Sequence, residues 1–159
     1  MQNTVRSAVT FIGLGLHTGA LVTMVVRPAA ADHGIWFRRT DITCGDALIP
    51  AIWDAVVPSR LCTLVANADG VSVSTIEHIM AALAGLAINN AVIDIDGPEV
   101  PILDGSALAF VAAILAAGIK PQIAQTRAIR VLKCVEVRDG AALARLEPAE
   151  MLEIDFRID

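Results

Sequence analysis

The apolar positions of this chain follow two periods, and the change from one to the other marks out its elements. β-Branched residues are dense from Thr4 to Phe11 and from Ala20 to Arg27, where Pro28 stops the run, so both segments read as strands. Gly34 to Arg39 reads as a third strand and Ile49 to Trp53 as a short fourth. Leu61 to Val65 and Val71 to Val73 flank Asn67-Ala68-Asp69-Gly70, whose residue types suit a turn, and together they predict a hairpin. The period then lengthens. Within Ser74 to Leu86, the residues Ile76, Ile79, Met80 and Leu83 recur at offsets of three, four and seven, the spacing of a helix face packed on a core. Ala91 to Ile95 is a compact buried-strand signal, and Asp96-Gly97-Pro98-Glu99-Val100-Pro101 a rigid loop after it. Asp104-Gly105-Ser106 opens a second helix through Ala107, Phe110, Val111, Ile114 and Leu115, which Gly118 is placed to end.

Lys120 to Thr126, with Pro121 and two glutamines, changes the composition and reads as a linker (120–126) closing a first domain of residues 1–119. Beyond it, Ala128 to Val137, a turn at Asp139-Gly140, Ala141 to Leu146 and Met151 to Ile158 read as three successive strands. Three strands with nothing to cover them make a poor independent unit, so residues 127–159 are expected to open a second domain that stays incomplete. The predicted class is α+β, a β-sheet with a helical layer.

Composition narrows the functions available. With 55% hydrophobic and 18% charged residues the chain is not expected to be disordered, and 12 positive against 17 negative side chains, a net −5, give no general attraction for nucleic acid or anionic membrane. Aromatic residues are 4% and tyrosine is absent, so the core is built from Val, Ile, Leu and Ala, and stacking platforms for single-stranded nucleic acid are not expected. Cys44, Cys62 and Cys134 have no structural-zinc spacing, and their odd number points to a reducing, cytoplasmic location. The run Ala8 to Leu16 is broken by Thr10, Gly13 and Gly15 and reads as mature structure; neither it nor Ala107 to Ala117 reaches the roughly 20 residues of a bilayer span, so no transmembrane segment is expected.

Candidate chemistry concentrates in the first patterned helix. At roughly 100° per residue Glu77 lies on the flank of the apolar stripe and His78 nearly opposite, on a face with Ala81, Ala82 and Gly85. Two readings stand. A neutral imidazole binds zinc and a carboxylate takes a proton from water, so the pair suits metal-assisted hydrolysis. Equally, Ser74 followed three residues later by Glu77 is the pattern of a capping box. The His-Glu-x-x-His order is absent, so any further metal ligands lie elsewhere. In Gly13-Leu14-Gly15-Leu16-His17-Thr18-Gly19 the third glycine is one residue late for a dinucleotide fingerprint and a strand follows, which excludes that reading; no Lys-Ser or Lys-Thr pair makes a phosphate loop. His17 is expected on an exposed tight turn. Arg38 and Arg39 read as a solvated strand end with phosphate holding as the alternative, and Asp104 as a loop or cap residue with metal ligation as the alternative.

Taken in order, Gly13 to Gly19, Arg60-Leu61-Cys62-Thr63, Ser74-Thr75-Ile76-Glu77-His78, Asn89-Asn90 and Pro101-Ile102-Leu103-Asp104-Gly105-Ser106 closely resemble the N-terminal half of the UDP-3-O-acyl-N-acetylglucosamine deacetylases, zinc enzymes of lipid A biosynthesis in Gram-negative bacteria. The resemblance implies a two-domain β-α-α-β sandwich with helices between two outer sheets and the site between domains. It implies Zn2+ as cofactor and UDP-3-O-acyl-N-acetylglucosamine as substrate. By motif, Glu77 matches the general base, His78 one zinc ligand, Leu61 and Cys62 the wall of the substrate site, and His17 a histidine close to it. The family's remaining ligands, in a His-x-x-x-Asp motif, belong to the C-terminal half, and no histidine follows His78 here. The 159 residues alone are therefore expected to bind zinc weakly and not to deacetylate. The alternative is a non-catalytic binding or interaction module whose unfinished sheet is completed by another chain through strand addition.

Overall fold

The computed structural model describes residues 1–157 and divides into two units, Met1–Thr126 and Arg127–Asp159. The first unit carries β1 (Gln2–Val5), β2 (Val9–Leu14), β3 (Leu21–Pro28), β4 (Ile35–Arg39), β5 (Leu48–Pro50), β6 (Val56–Val57), β7 (Leu64–Ala66), β8 (Ser72–Ser74), α1 (Glu77–Gly85), β9 (Ala91–Ile95), α2 (Leu108–Ala117) and β10 (Ile119–Gln122). Five strands form a sheet in the order β2-β3-β9-β4-β5, antiparallel except for the parallel pair β4 and β9. Alternation along each strand sends one side of the sheet inward: Val22, Met24 and Val26 from β3, Ile93 and Ile95 from β9, and Phe37 from β4 are all buried. The helices contribute Ile79, Leu83, Phe110 and Ile114 to the same core, and the Phe110 ring meets Phe11 of β2 with centroids 4.9 Å apart. This is the α+β arrangement of a sheet covered by a helical layer.

Differences from the sequence reading have local causes. The strand expected over Thr4 to Phe11 is two strands, because exposed Arg6, Ser7 and Ala8 let β1 leave the sheet and pair with β10. Residues 120–122 accordingly lie in β10. Pro121 is tolerated there because β10 has a strand partner on one side alone, so its missing N–H breaks no second ladder. Gly118 ends α2 at φ +87, a conformation open to glycine, and its carbonyl accepts the Arg6 N–H at 2.7 Å. The strand expected over Ile49 to Trp53 stops at Pro50 and gives way to a 3-10 turn at Trp53–Ala55. The hairpin around residues 67–70 forms as β7 and β8, with β6 added at its other edge.

The second unit holds one antiparallel hairpin, β11 (Val135–Asp139) and β12 (Ala142–Leu146), turning at Gly140 with φ +57. Every residue of both strands is exposed. Residues 128–134 and 151–157 form no strand, because neither segment finds a ladder partner among the described residues. Ile158, the end of the third expected strand, lies outside the described residues. Among the described residues no helix is long and apolar enough to cross a membrane.

Candidate active site

The β7–β8 hairpin delivers the chain into α1 through Thr75, which adopts φ +57. A β-branched residue in the left-handed region is strained, and such strain persists where the surroundings over-determine it. Leu61 at φ +64 and Leu103 at φ +52 share this feature, so three of the segments singled out by motif carry a left-handed non-glycine residue. The capping box does not form. The helix N-cap is Ile76 with no side-chain cap, while the Ser74 hydroxyl donates to the Pro98 carbonyl at 3.3 Å. Ser74 still belongs to β8, which aims its side chain away from the helix end.

Released from capping, Glu77 has a different partner. Its Oε1 accepts the backbone N–H of Thr63, which ties the Leu61-Cys62-Thr63 segment to the first turn of α1. Its Oε2 is buried and unpartnered, and so is Nδ1 of the adjacent His78. Buried polar atoms without partners are rare and costly, about 1–3 kcal/mol each, and here two of them lie on neighbouring residues. Cys62 is half-buried with its Sγ 3.2 Å from Ser59 Oγ, whereas Leu61 is 92% exposed. Asp104 accepts the Ser106 N–H and hydroxyl, both at 3.0 Å, and Ser106 Oγ in turn accepts the Leu108 N–H at the start of α2. The Ser106 amide and hydroxyl hold the Asp104 carboxyl below the usual range, with a smaller contribution from the nearby His78 imidazole. Asp104 thus fixes its loop.

His17 lies, as expected, on an exposed turn, but the group that holds that turn escaped the sequence reading. Glu99 is fully buried, and its carboxylate accepts the His17 N–H at 2.9 Å, the Thr18 N–H and hydroxyl at 2.8 Å, and the Thr75 hydroxyl at 2.9 Å. Burial pushes this carboxyl up, and the donors from His17, Thr18 and Thr75 outweigh it, leaving its pKa at about 2 against an ordinary 4.5. The signal available in the sequence is an acid set close between two prolines, Pro98 and Pro101. Arg38 and Arg39 are engaged elsewhere. Arg38 grips Asp94 at 2.7 and 2.8 Å beside Arg27 at 2.6 Å, and Arg39 pairs with Asp41 and donates to the Ser72 carbonyl. Their guanidinium groups therefore serve the sheet, not a phosphate.

The Glu99 shift carries a stability consequence. Its folded-state pKa lies below the unfolded value, so the carboxylate stabilises the fold fully above about pH 4.5 and that contribution, about 3 kcal/mol, disappears as pH falls towards about 2. Urea unfolding of the native chain and of Glu99→Gln over this range is expected to show the two stabilities converging as pH drops. Parallel curves would contradict the shift.

As to a metal, the donor chemistry fits one corner of a site: an imidazole with a buried unpartnered nitrogen beside a carboxylate with a free oxygen. Among the described residues no group of three His, Cys, Asp or Glu side chains gathers to hold an ion.

Comparison with known proteins covers nearly the whole chain. A family profile described as LpxC, UDP-3-O-acyl N-acetylglycosamine deacetylase, matches residues 2–159. Proteins named UDP-3-O-acyl-N-acetylglucosamine deacetylase are similar along nearly all of it: one from Phenylobacterium zucineum is 52% identical over 157 residues, covering 99% of this chain and 54% of the relative. Another from Pseudoalteromonas atlantica is 46% identical over 158 residues, with 99% and 52% covered, and one from Shewanella pealeana is also 46% identical, with 99% and 51% covered. The chain spans about half the length of the curated relatives it matches. With a profile match along essentially its whole length, the chain belongs to the UDP-3-O-acyl N-acetylglycosamine deacetylase family.

Proposed function

We propose that this chain supplies the N-terminal half of a zinc-dependent deacetylase site that removes the N-acetyl group of UDP-3-O-acyl-N-acetylglucosamine in lipid A biosynthesis. The observation that carries the reading is the division of labour within Glu77: Thr63 anchors Oε1 while Oε2 stays buried and free. His78 would hold the metal, together with ligands from a second domain. Zinc, when bound, polarises an amide carbonyl and makes water more acidic. Glu77 Oε2 takes the proton of the water that adds to the acetamide carbon. As the C–N bond breaks, acetate leaves and the sugar amine takes up a proton. Leu61, Cys62 and His17 line the approach of the UDP-sugar, and Asp104 keeps negative charge beside His78. The three free thiols, Cys44, Cys62 and Cys134, suit a reducing cytoplasm.

The test is acetate release. Supplied with zinc and the UDP-sugar, the 159-residue chain is expected to release none, whereas the same chain joined to the C-terminal half of the Phenylobacterium zucineum relative turns over. Turnover by the chain alone would overturn the half-site. A folded, zinc-loaded chimera without activity would overturn the deacetylase reading.

A further inference from the structure

Two segments of the candidate site come from distant parts of the first unit, the turn bearing His17 and the β8–α1 junction before Glu77 and His78. No hydrogen bond joins the two imidazole rings among the described residues. What joins their segments is residues 98–101, which run between them. Ser74 N–H donates to the Pro98 carbonyl at 2.9 Å, Val100 N–H donates to the Ser74 carbonyl at 3.1 Å, Ser74 and Glu99 form a parallel bridge, and Gly15 and Pro101 an antiparallel one. From this connecting strip one side chain reaches both ways.

We propose that Glu99 is a positioning residue for the candidate site: its buried carboxylate, bonded on one side to the His17 turn and on the other to Thr75, locks the two segments into one register.

Three observations carry this. First, among the described residues all its donors come from these two segments, and all are neutral: the amides of His17 and Thr18 and the hydroxyls of Thr18 and Thr75. A carboxylate removed from water without a counter-cation needs every lone pair engaged, so losing either segment leaves charge uncompensated. The two sides are thereby coupled through the ion itself. Second, the turn is shaped around the carboxylate. A Cβ placed on Gly15 would fall on Thr18 Oγ1 and Glu99 Oε2, so the glycine is there to let the backbone approach the acid. Third, Thr75 stands at φ +57 with its hydroxyl on Glu99 Oε1, so the same contact that fixes the carboxylate holds the strained residue that precedes the N-cap Ile76 of α1. A shift of one ångström at either segment is enough to spoil a reacting geometry.

The inference rests on the proposed function for what the site does, but its first test does not. Amide hydrogen exchange is measured on the 159-residue chain with native Glu99, with Glu99→Gln and with Thr18→Val. The last variant leaves the carboxylate in place, so it remains informative if Glu99→Gln fails to fold. Thr18→Val is expected to speed exchange at His17 and, through Glu99, at Ser74 and Met80 by about tenfold, while the β3–β9 ladder is unchanged. Acceleration confined to the His17 turn would make Glu99 a local brace. Equal acceleration throughout the unit would make it a stability residue only. Either result overturns the proposal. In the active chimera the same Thr18→Val change is expected to lower kcat about tenfold with KM altered less than about threefold, since geometry and not uniform binding is lost; unchanged kcat overturns it. A chimera inactive with native Glu99 would count against the deacetylase reading, and the exchange comparison would still decide the role of Glu99.

Discussion

Replacing Glu77 by glutamine in the chimera is expected to lower kcat by roughly 10²- to 10⁴-fold while the protein stays folded, the range contributed by a positioned general base. The separation follows from the geometry. A glutamine carbonyl oxygen still accepts the Thr63 N–H that Oε1 accepts now, so the tie between the Leu61-Cys62-Thr63 segment and α1 survives. The amide nitrogen that takes the place of Oε2 cannot accept a proton from water. Since the capping box is absent, no capping loss enters the comparison. Steady-state kinetics with a parallel unfolding curve reads both halves. Near-native turnover in a folded Glu77→Gln variant would leave Glu77 as a brace for the helix start and return the base role to another residue.

Cutting Phe110 back to alanine is expected to destabilise the first unit by about 3–5 kcal/mol, comparable with much of the total stability of a small domain. Phe110 is fully buried on α2 and meets Phe11 of β2, so it is the largest side chain pinning the second helix to the sheet edge. Rigid strands on one side and α1 on the other leave little room for collapse into the space. The measurement is the urea midpoint of the 159-residue chain at constant slope. A loss below about 1 kcal/mol would mean that α2 repacks freely and that its contact with β2 does not anchor the helical layer.

The elements that could be read in advance are those whose signal is local. The β-branched density of Ala20 to Arg27 marks a strand and the helical spacing of Ile79 and Leu83 reports which side of the helix is buried; β3 forms there and both helix side chains are buried. Asn67 to Gly70 carry their turn with them, and Gly118 its helix end. Local signal is silent where pairing decides. Nothing in Thr4 to Phe11 says that its first half turns away to β10, more than a hundred residues along the chain, and nothing in residues 128–134 says that they find no partner strand among the described residues. Of the candidate residues, Glu77 and His78 stand out in the sequence by their place on a patterned helix and Leu61, Cys62 and His17 by motif resemblance alone, whereas Glu99 reads only as part of a rigid loop.

Ser74 and Glu77 show where the boundary lies. Their spacing alone allows a capping box, and spacing is all that a local pattern contains. The fold decides otherwise, because β8 extends through Ser74 and Thr63 N–H, 14 residues away, reaches Glu77 first. Glu99 makes the same point more strongly: its donors lie 81 and 82 residues away on one side and 24 on the other, and no window of the chain contains them together. Periodicity and turn chemistry settle which residues face inward and where elements stop, since those depend on neighbours along the chain. Which donors meet at a buried carboxylate, and so how the two halves of the His17 and His78 site are kept in register, depends on neighbours in space and is settled when the sheet and its helices close around them.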